Sequence, residues 1–184
     1  ETVTPQSGKL SWLAAARALF NMRLRARPLA EKDAEWLVRW ENWNTAAYFT
    51  CSESGLLLAT QYDREMDALH PRGNEQELVL TRMKGEPCGL LKMRATGANG
   101  LAWAWLYLRD NNDYGDSGTR RTLRALLDET RNNRQLRRFL VPVTIGEPEL
   151  ASCLEAVGFV RAGTQREALY LHGAYQNVNI YLYG

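Results

Sequence analysis

The sequence predicts an α+β fold, a mostly antiparallel twisted sheet of about six to seven strands flanked by helices. Two observations predict it: several short runs with the period-two alternation of strands, and two stretches, residues 119–132 and 148–157, with the apolar stripe of helices packed on a sheet. The length, 184 residues at 45% apolar composition, suits one globular domain with a real core.

In residues 10–20, Leu10, Leu13 and Ala14 stand at helical spacing after Ser7 and Gly8, which predicts an N-terminal helical appendage over 1–21. At Met22 the pattern changes to period two. Met22, Leu24 and Ala26 alternate with Arg23, Arg25 and Arg27, and Pro28 closes this half-buried first strand. Residues 31–43 return to helical spacing through Ala34, Leu37, Val38 and Trp40, and a second helix is predicted over 62–69, before the breaker His70-Pro71-Arg72-Gly73.

Residues 77–83 and 88–94 read as a hairpin turning at Lys84-Gly85-Glu86-Pro87. A long aromatic strand over 101–109 follows, then a polar loop. Leu123, Leu126, Leu127 and Thr130 give the helix over 119–132 its buried face. Residues 139–145 form a strand, Pro148 opens a helix that Gly158 closes, and roughly the last 25 residues make a terminal hairpin. The order is β-α-α-β-β-β-α-β-α-β-β, with no internal repeat.

Charge says little about partners. The 23 basic and 21 acidic residues leave +2, short of what binding nucleic acid or anionic lipid by electrostatics needs. All but four of the basic residues (Lys9, Lys32, Lys84, Lys92) are Arg, whose planar fork suits phosphate and carboxylate, although a coding bias is the simpler explanation of the excess. The Arg-rich stretch 131–138 reads as a solvated turn, so no nucleic-acid partner is expected. Cys51, Cys88 and Cys153 form no close pair, and His70 and His172 are the only histidines, which argues against a disulfide framework or a metal site. No apolar run approaches the roughly 20 residues of a membrane span, so a cytoplasmic protein without a membrane partner is expected. The start at Glu1, with no basic n-region, reads as a trimmed start or a domain cut from a longer chain.

Three segments in this order, RLRARPLAEKDAEWLVRWEN, LYLRDNNDYGDSGTRRTLRALL and EPELASCLEAVGFVRAGTQREALYLHGAY, together resemble the GNAT superfamily of acetyl-CoA-dependent N-acetyltransferases, in its ribosomal-protein and amino-sugar branch. The resemblance covers 22–184. It implies a sheet splayed between its fourth and fifth strands, acetyl-CoA or another acyl-CoA as cofactor, and a small-molecule, sugar or peptide amine as acceptor. A GNAT-like binding module without turnover is the alternative.

The middle segment has a physical rationale. A diphosphate needs converging N–H donors, and a loop entering a helix N-terminus supplies them with the positive end of the dipole. Gly115, Asp116, Ser117, Gly118, Thr119 and Arg120 stand where the resemblance puts that loop. The alternative is a plain helix cap at Asp116 or Ser117. With Gly118 matched to the first glycine of the family pattern (basic or Gln, two residues, Gly, one residue, Gly or Ala), Arg120 replaces the second, and Arg120 and Arg121 fall in a first turn that disfavours cations. The resemblance also implies that the backbone of Tyr107, Leu108, Arg109 and Asp110 pairs with the pantetheine arm like an added strand.

An ammonium cannot attack a thioester, so a proton acceptor is needed. The strand over 101–109 carries no carboxylate, and Asp110 at its end is the nearest candidate. Aligning Gly158-Phe159 with the family's Gly-Phe puts Glu147 where an Asn is usual and Leu154 where a Tyr often protonates the leaving thiolate. Cys153 and Ser152 are neighbouring substitutes, and Tyr170, Tyr175 and His172 are further proton carriers; burial of the thiol and packing of the aromatics are the alternatives. Trp36, Trp40 and Trp43, with Trp103 and Trp105, read either as core or as an aromatic acceptor pocket beside Glu41.

Overall fold

The computed structural model describes residues 24–33, 36, 75–96, 100–171 and 173–184. The predicted helices over 10–20 and 62–69 and most of that over 31–43 lie outside these residues, as do Glu41, Trp40, Trp43, Cys51 and His172. The described elements are β1 (Leu24–Pro28), a 3-10 turn (Glu31–Asp33), β2 (Glu75–Arg82), β3 (Pro87–Ala95), β4 (Leu101–Leu108), α1 (Asn111–Gly115), α2 (Ser117–Asn133), β5 (Arg138–Thr144), α3 (Pro148–Val157), β6 (Val160–Leu171) and β7 (Ala174–Tyr183). The strands form one seven-stranded sheet ordered β1-β2-β3-β4-β5-β7-β6, antiparallel except for β4 beside β5. The predicted order holds for the described elements, with one addition: the polar stretch after β4 contains α1.

Period-two alternation places Leu78, Leu80, Leu91, Met93, Ala102, Ala104, Leu106 and Leu108 on one face of β2 to β4. They form a single core with Leu123 and Leu127 of α2 and Leu150, Leu154 and Val157 of α3. The first strand departs from its expected pattern: Leu24 is buried, but Ala26 is exposed, β1 pairing with β2 alone among the described strands. β3 and β4 approach closely at Gly89, where a Cβ would lie 2.7 Å from both the Tyr107 carbonyl oxygen and Leu108 Cδ2. Only a residue without a side chain fits there. At the end of α3, Gly158 adopts φ +115° and donates its N–H to the Leu154 and Glu155 carbonyls, so the chain turns into β6 as the sequence predicts.

A second anchor ties β1 to the turn that follows it. Asp33 is 2% exposed and accepts Arg27 Nη2 at 2.6 Å, the Ala30 N–H at 3.0 Å and Trp36 Nε1 at 2.9 Å. Burial pushes this carboxyl up, but the bonds from Arg27, Trp36 and Ala30 outweigh it and hold it at about 2. The sequence reading missed this pair. Its signal was an acidic residue a few positions after a strand-ending Arg-Pro.

Candidate active site

The parallel pair β4 and β5 is in register only from Leu101 with Arg138 to Trp103 with Leu140, whereas β4 runs on to Leu108 and β5 to Thr144. The two strands therefore part toward their C-terminal ends. Strand alternation decides which backbone groups face the gap. The Arg109 N–H donates to the Cys88 carbonyl on β3 at 2.9 Å, so Tyr107 shares that orientation while Leu106 and Leu108 turn theirs the other way. Of the four residues expected to pair with an arm, Tyr107 and Arg109 face β3, and Asp110 lies beyond the strand. Only Leu108 faces the gap.

The Leu108 N–H already has a partner. It donates to the Tyr114 hydroxyl at 2.9 Å, and Tyr114, in α1, is 5% exposed within the core. The sequence reading passed over Tyr114. A single aromatic in the polar run 109–118 was the signal that this run folds inward.

α1 and α2 follow each other with one residue between them. The Asp110 carboxylate caps α1 by accepting the Asn112 N–H at 2.9 Å, and Asp116 caps α2 by accepting the Thr119 N–H at 2.8 Å. α2 therefore begins at Ser117, two residues before the predicted start. Ser117, Gly118 and Thr119 form its first turn, and the N–H groups of Ser117 and Gly118 have no helical carbonyl to meet. The two small residues spaced i, i+2 in that turn are Ser117 and Thr119, one residue earlier than the Gly118 and Arg120 of the expected register.

The predicted conflict at Arg120 disappears. Arg120 stands past the first turn, and its Nε donates to the Tyr114 carbonyl at 2.8 Å. A cation that would be unfavourable at the start of α2 is favourable at the end of α1. Gly115 is exposed and has open space where a side chain would go, so no close approach demands it.

The proposed proton carriers are spread out. Asp110 is exposed and engaged as a cap. Cys153 is fully buried, and burial pushes its thiol up to about 11 against the opposing effect of Arg120. Tyr170 is 58% exposed, edge-on to Tyr175 at 5.0 Å between ring centroids. Both lie on the β6–β7 hairpin, which extends beyond the end of β5 because β7 meets β5 only from Val178 onward. Leu154 is core, and Ser152 is exposed. Glu147 accepts the Thr144 N–H at 3.1 Å and its hydroxyl at 2.7 Å, closing the turn from β5 to α3. The register puts Trp103 and Trp105 on the sheet face away from α2, half-buried, with Arg94 6.0 Å from the Trp105 ring centroid. Cys88 and Cys153 are free thiols, and no His, Cys, Asp and Glu cluster suited to a metal occurs among the described residues. No helix among them is long and apolar enough to cross a membrane.

No protein-family model and no curated protein matches the chain. Solved structures do. A spermidine N-acetyltransferase from Vibrio cholerae, in complex with CoA and spermine, matches at TM-score 0.76 and 17% identity, over 88% of this chain and 95% of that one. A ribosomal L7/L12 alpha-N-protein acetyltransferase in complex with CoA matches at TM-score 0.71 and 21% identity, over 88% and 93%. The splayed seven-stranded sheet with its flanking helices is the GNAT acetyltransferase fold, as the sequence led us to expect.

Proposed function

We propose that this chain is a CoA-dependent N-acyltransferase that moves an acetyl or other acyl group from acyl-CoA to a primary amine on a small molecule, a sugar or a protein N-terminus. The observation that carries the reading is the early end of β4–β5 pairing beside the open first turn of α2. The gap turns the backbone groups of Leu106 and Leu108 away from β3, toward where an extended arm would add, and the Ser117 and Gly118 N–H groups offer an anion site for a diphosphate. Both similar enzymes are complexes with CoA, and one acts on spermidine, the other on a ribosomal protein, which supports amine acylation with the acceptor left open.

Acyl-CoA supplies an activated thioester; the chain supplies position. Backbone donors at the gap edge polarise a carbonyl placed there, and the sheet holds the attacking nitrogen in line. The N–C bond forms as the C–S bond breaks, and the proton shed by the new amide nitrogen ends on the departing sulfur, so that CoA leaves as its free thiol. With no carboxylate on β4 and Asp110 committed to its cap, the ammonium proton leaves to water at the open end of the gap.

The occupied Leu108 N–H and the buried Leu154 favour a second reading, a module that binds acyl-CoA without turnover. Thiol release from acetyl-CoA across a panel of amines decides between the two. Steady release supports the enzyme. Binding without release supports the module, and no binding at millimolar acetyl-CoA overturns both.

A further inference from the structure

We infer that Tyr114 sets the affinity for acyl-CoA, because its phenol and the pantetheine arm compete for one backbone donor, the Leu108 N–H. The inference rests on the acyl-CoA reading above and adds a residue that controls it.

Leu108 is the residue nearest the mouth of the gap whose N–H points away from β3, so it is the donor an added extended segment meets there. That N–H is bonded at 2.9 Å to the Tyr114 hydroxyl, inside the core. A hydroxyl accepts and donates, yet none of the described residues accepts the phenol's own proton within bonding distance. Tyr114 thus satisfies the strand while its own donor meets no acceptor among the described residues, an arrangement an arm bringing a carbonyl oxygen can replace.

The backbone of Tyr114 is fixed. Arg120 holds its carbonyl at 2.8 Å, Arg82 holds Asp113 of the same helix at 2.8 Å, and Asp110 and Asp116 cap the two helices. The exchange therefore falls on the ring, which swings out while α1 stays in place. Each binding event breaks one internal hydrogen bond to form one with the ligand, so affinity is lower than the open gap alone would give.

Calorimetric titration of the whole chain with CoA, comparing wild type with Tyr114→Phe, tests this. Removing the hydroxyl leaves the Leu108 N–H waiting for the arm, and we expect CoA to bind about three- to tenfold more tightly. Adenosine 3′,5′-bisphosphate, which lacks the arm, should bind both proteins equally. Equal CoA affinities, or an equal gain for the arm-less nucleotide, overturn the proposal while leaving the acyl-CoA reading standing. Failure of both proteins to bind CoA removes that reading, and the proposal with it. Should Tyr114→Phe fail to fold, NMR of the wild type with carbon-13 in its tyrosine rings provides the measurement. A shift of the Tyr114 signal on saturation with CoA, absent with the bisphosphate, supports the exchange, and an unmoved signal overturns it.

Discussion

The Arg120 guanidinium reaches back past the start of its own helix to the Tyr114 carbonyl, with Nε 2.8 Å from the oxygen. One side chain thereby pins the short α1 to the long α2 and fixes the residue that fills the β4–β5 gap. Removing it in Arg120→Ala should cost about 1–2 kcal/mol, the range for a hydrogen bond to a charged donor. Urea unfolding followed by circular dichroism measures this, and an unchanged midpoint would show that packing, the helix caps and the Arg82–Asp113 pair hold α1 without it.

Asp116 does two things at the start of α2 that substitution can separate. Its carboxylate accepts the Thr119 N–H, and its charge lies where a diphosphate is expected to bind. Asp116→Ser keeps a capping oxygen and removes the charge, so stability should stay within about 0.5 kcal/mol while CoA binds about two- to fivefold more tightly. Asp116→Ala should lose about 1 kcal/mol of stability. Weaker CoA binding by the Ser variant would show that this helix end does not meet the phosphates.

Acid stability should report on Asp33. Its carboxyl is held at about 2, below its ordinary 3.8, so the folded state binds the proton less readily than the unfolded chain. The resulting stabilisation, about 2 kcal/mol, is present above pH 4 and disappears as pH falls through 2. Thermal melts from pH 6 to 2 should fall more steeply for the wild type than for Asp33→Asn. Parallel curves would mean that other carboxylates dominate the acid limb.

Cys153 should behave as a packing residue. With its thiol pushed up to about 11 by burial, it stays protonated at neutral pH and is closed to reagents in the folded protein. Site-resolved alkylation at pH 8 should label it only after denaturation, and Cys153→Ala should retain CoA binding at a cost of about 1–2 kcal/mol in stability. Rapid labelling of the native protein would restore it as a proton carrier.

Most elements were legible because their signals are local. Alternation marks β2 to β4, the apolar stripe marks α2, and Pro148 with Gly158 brackets α3. The order and spacing of three segments were enough to indicate the acetyltransferase fold. Local signals also misplaced two things. Residues 111–115 look like a polar loop because α1 buries a single side chain, and Arg120 looks misplaced because nothing in the sequence shows the carbonyl it reaches.

By itself, the sequence determined which segments become strands and helices and which of their faces are apolar, since both follow from the spacing of neighbours along the chain. The tertiary structure decided where β4 and β5 part, which Leu108 backbone groups face that gap, and that the Tyr114 phenol fills it. Those depend on register between strands and on contacts between α1 and β4 that no period in the sequence encodes.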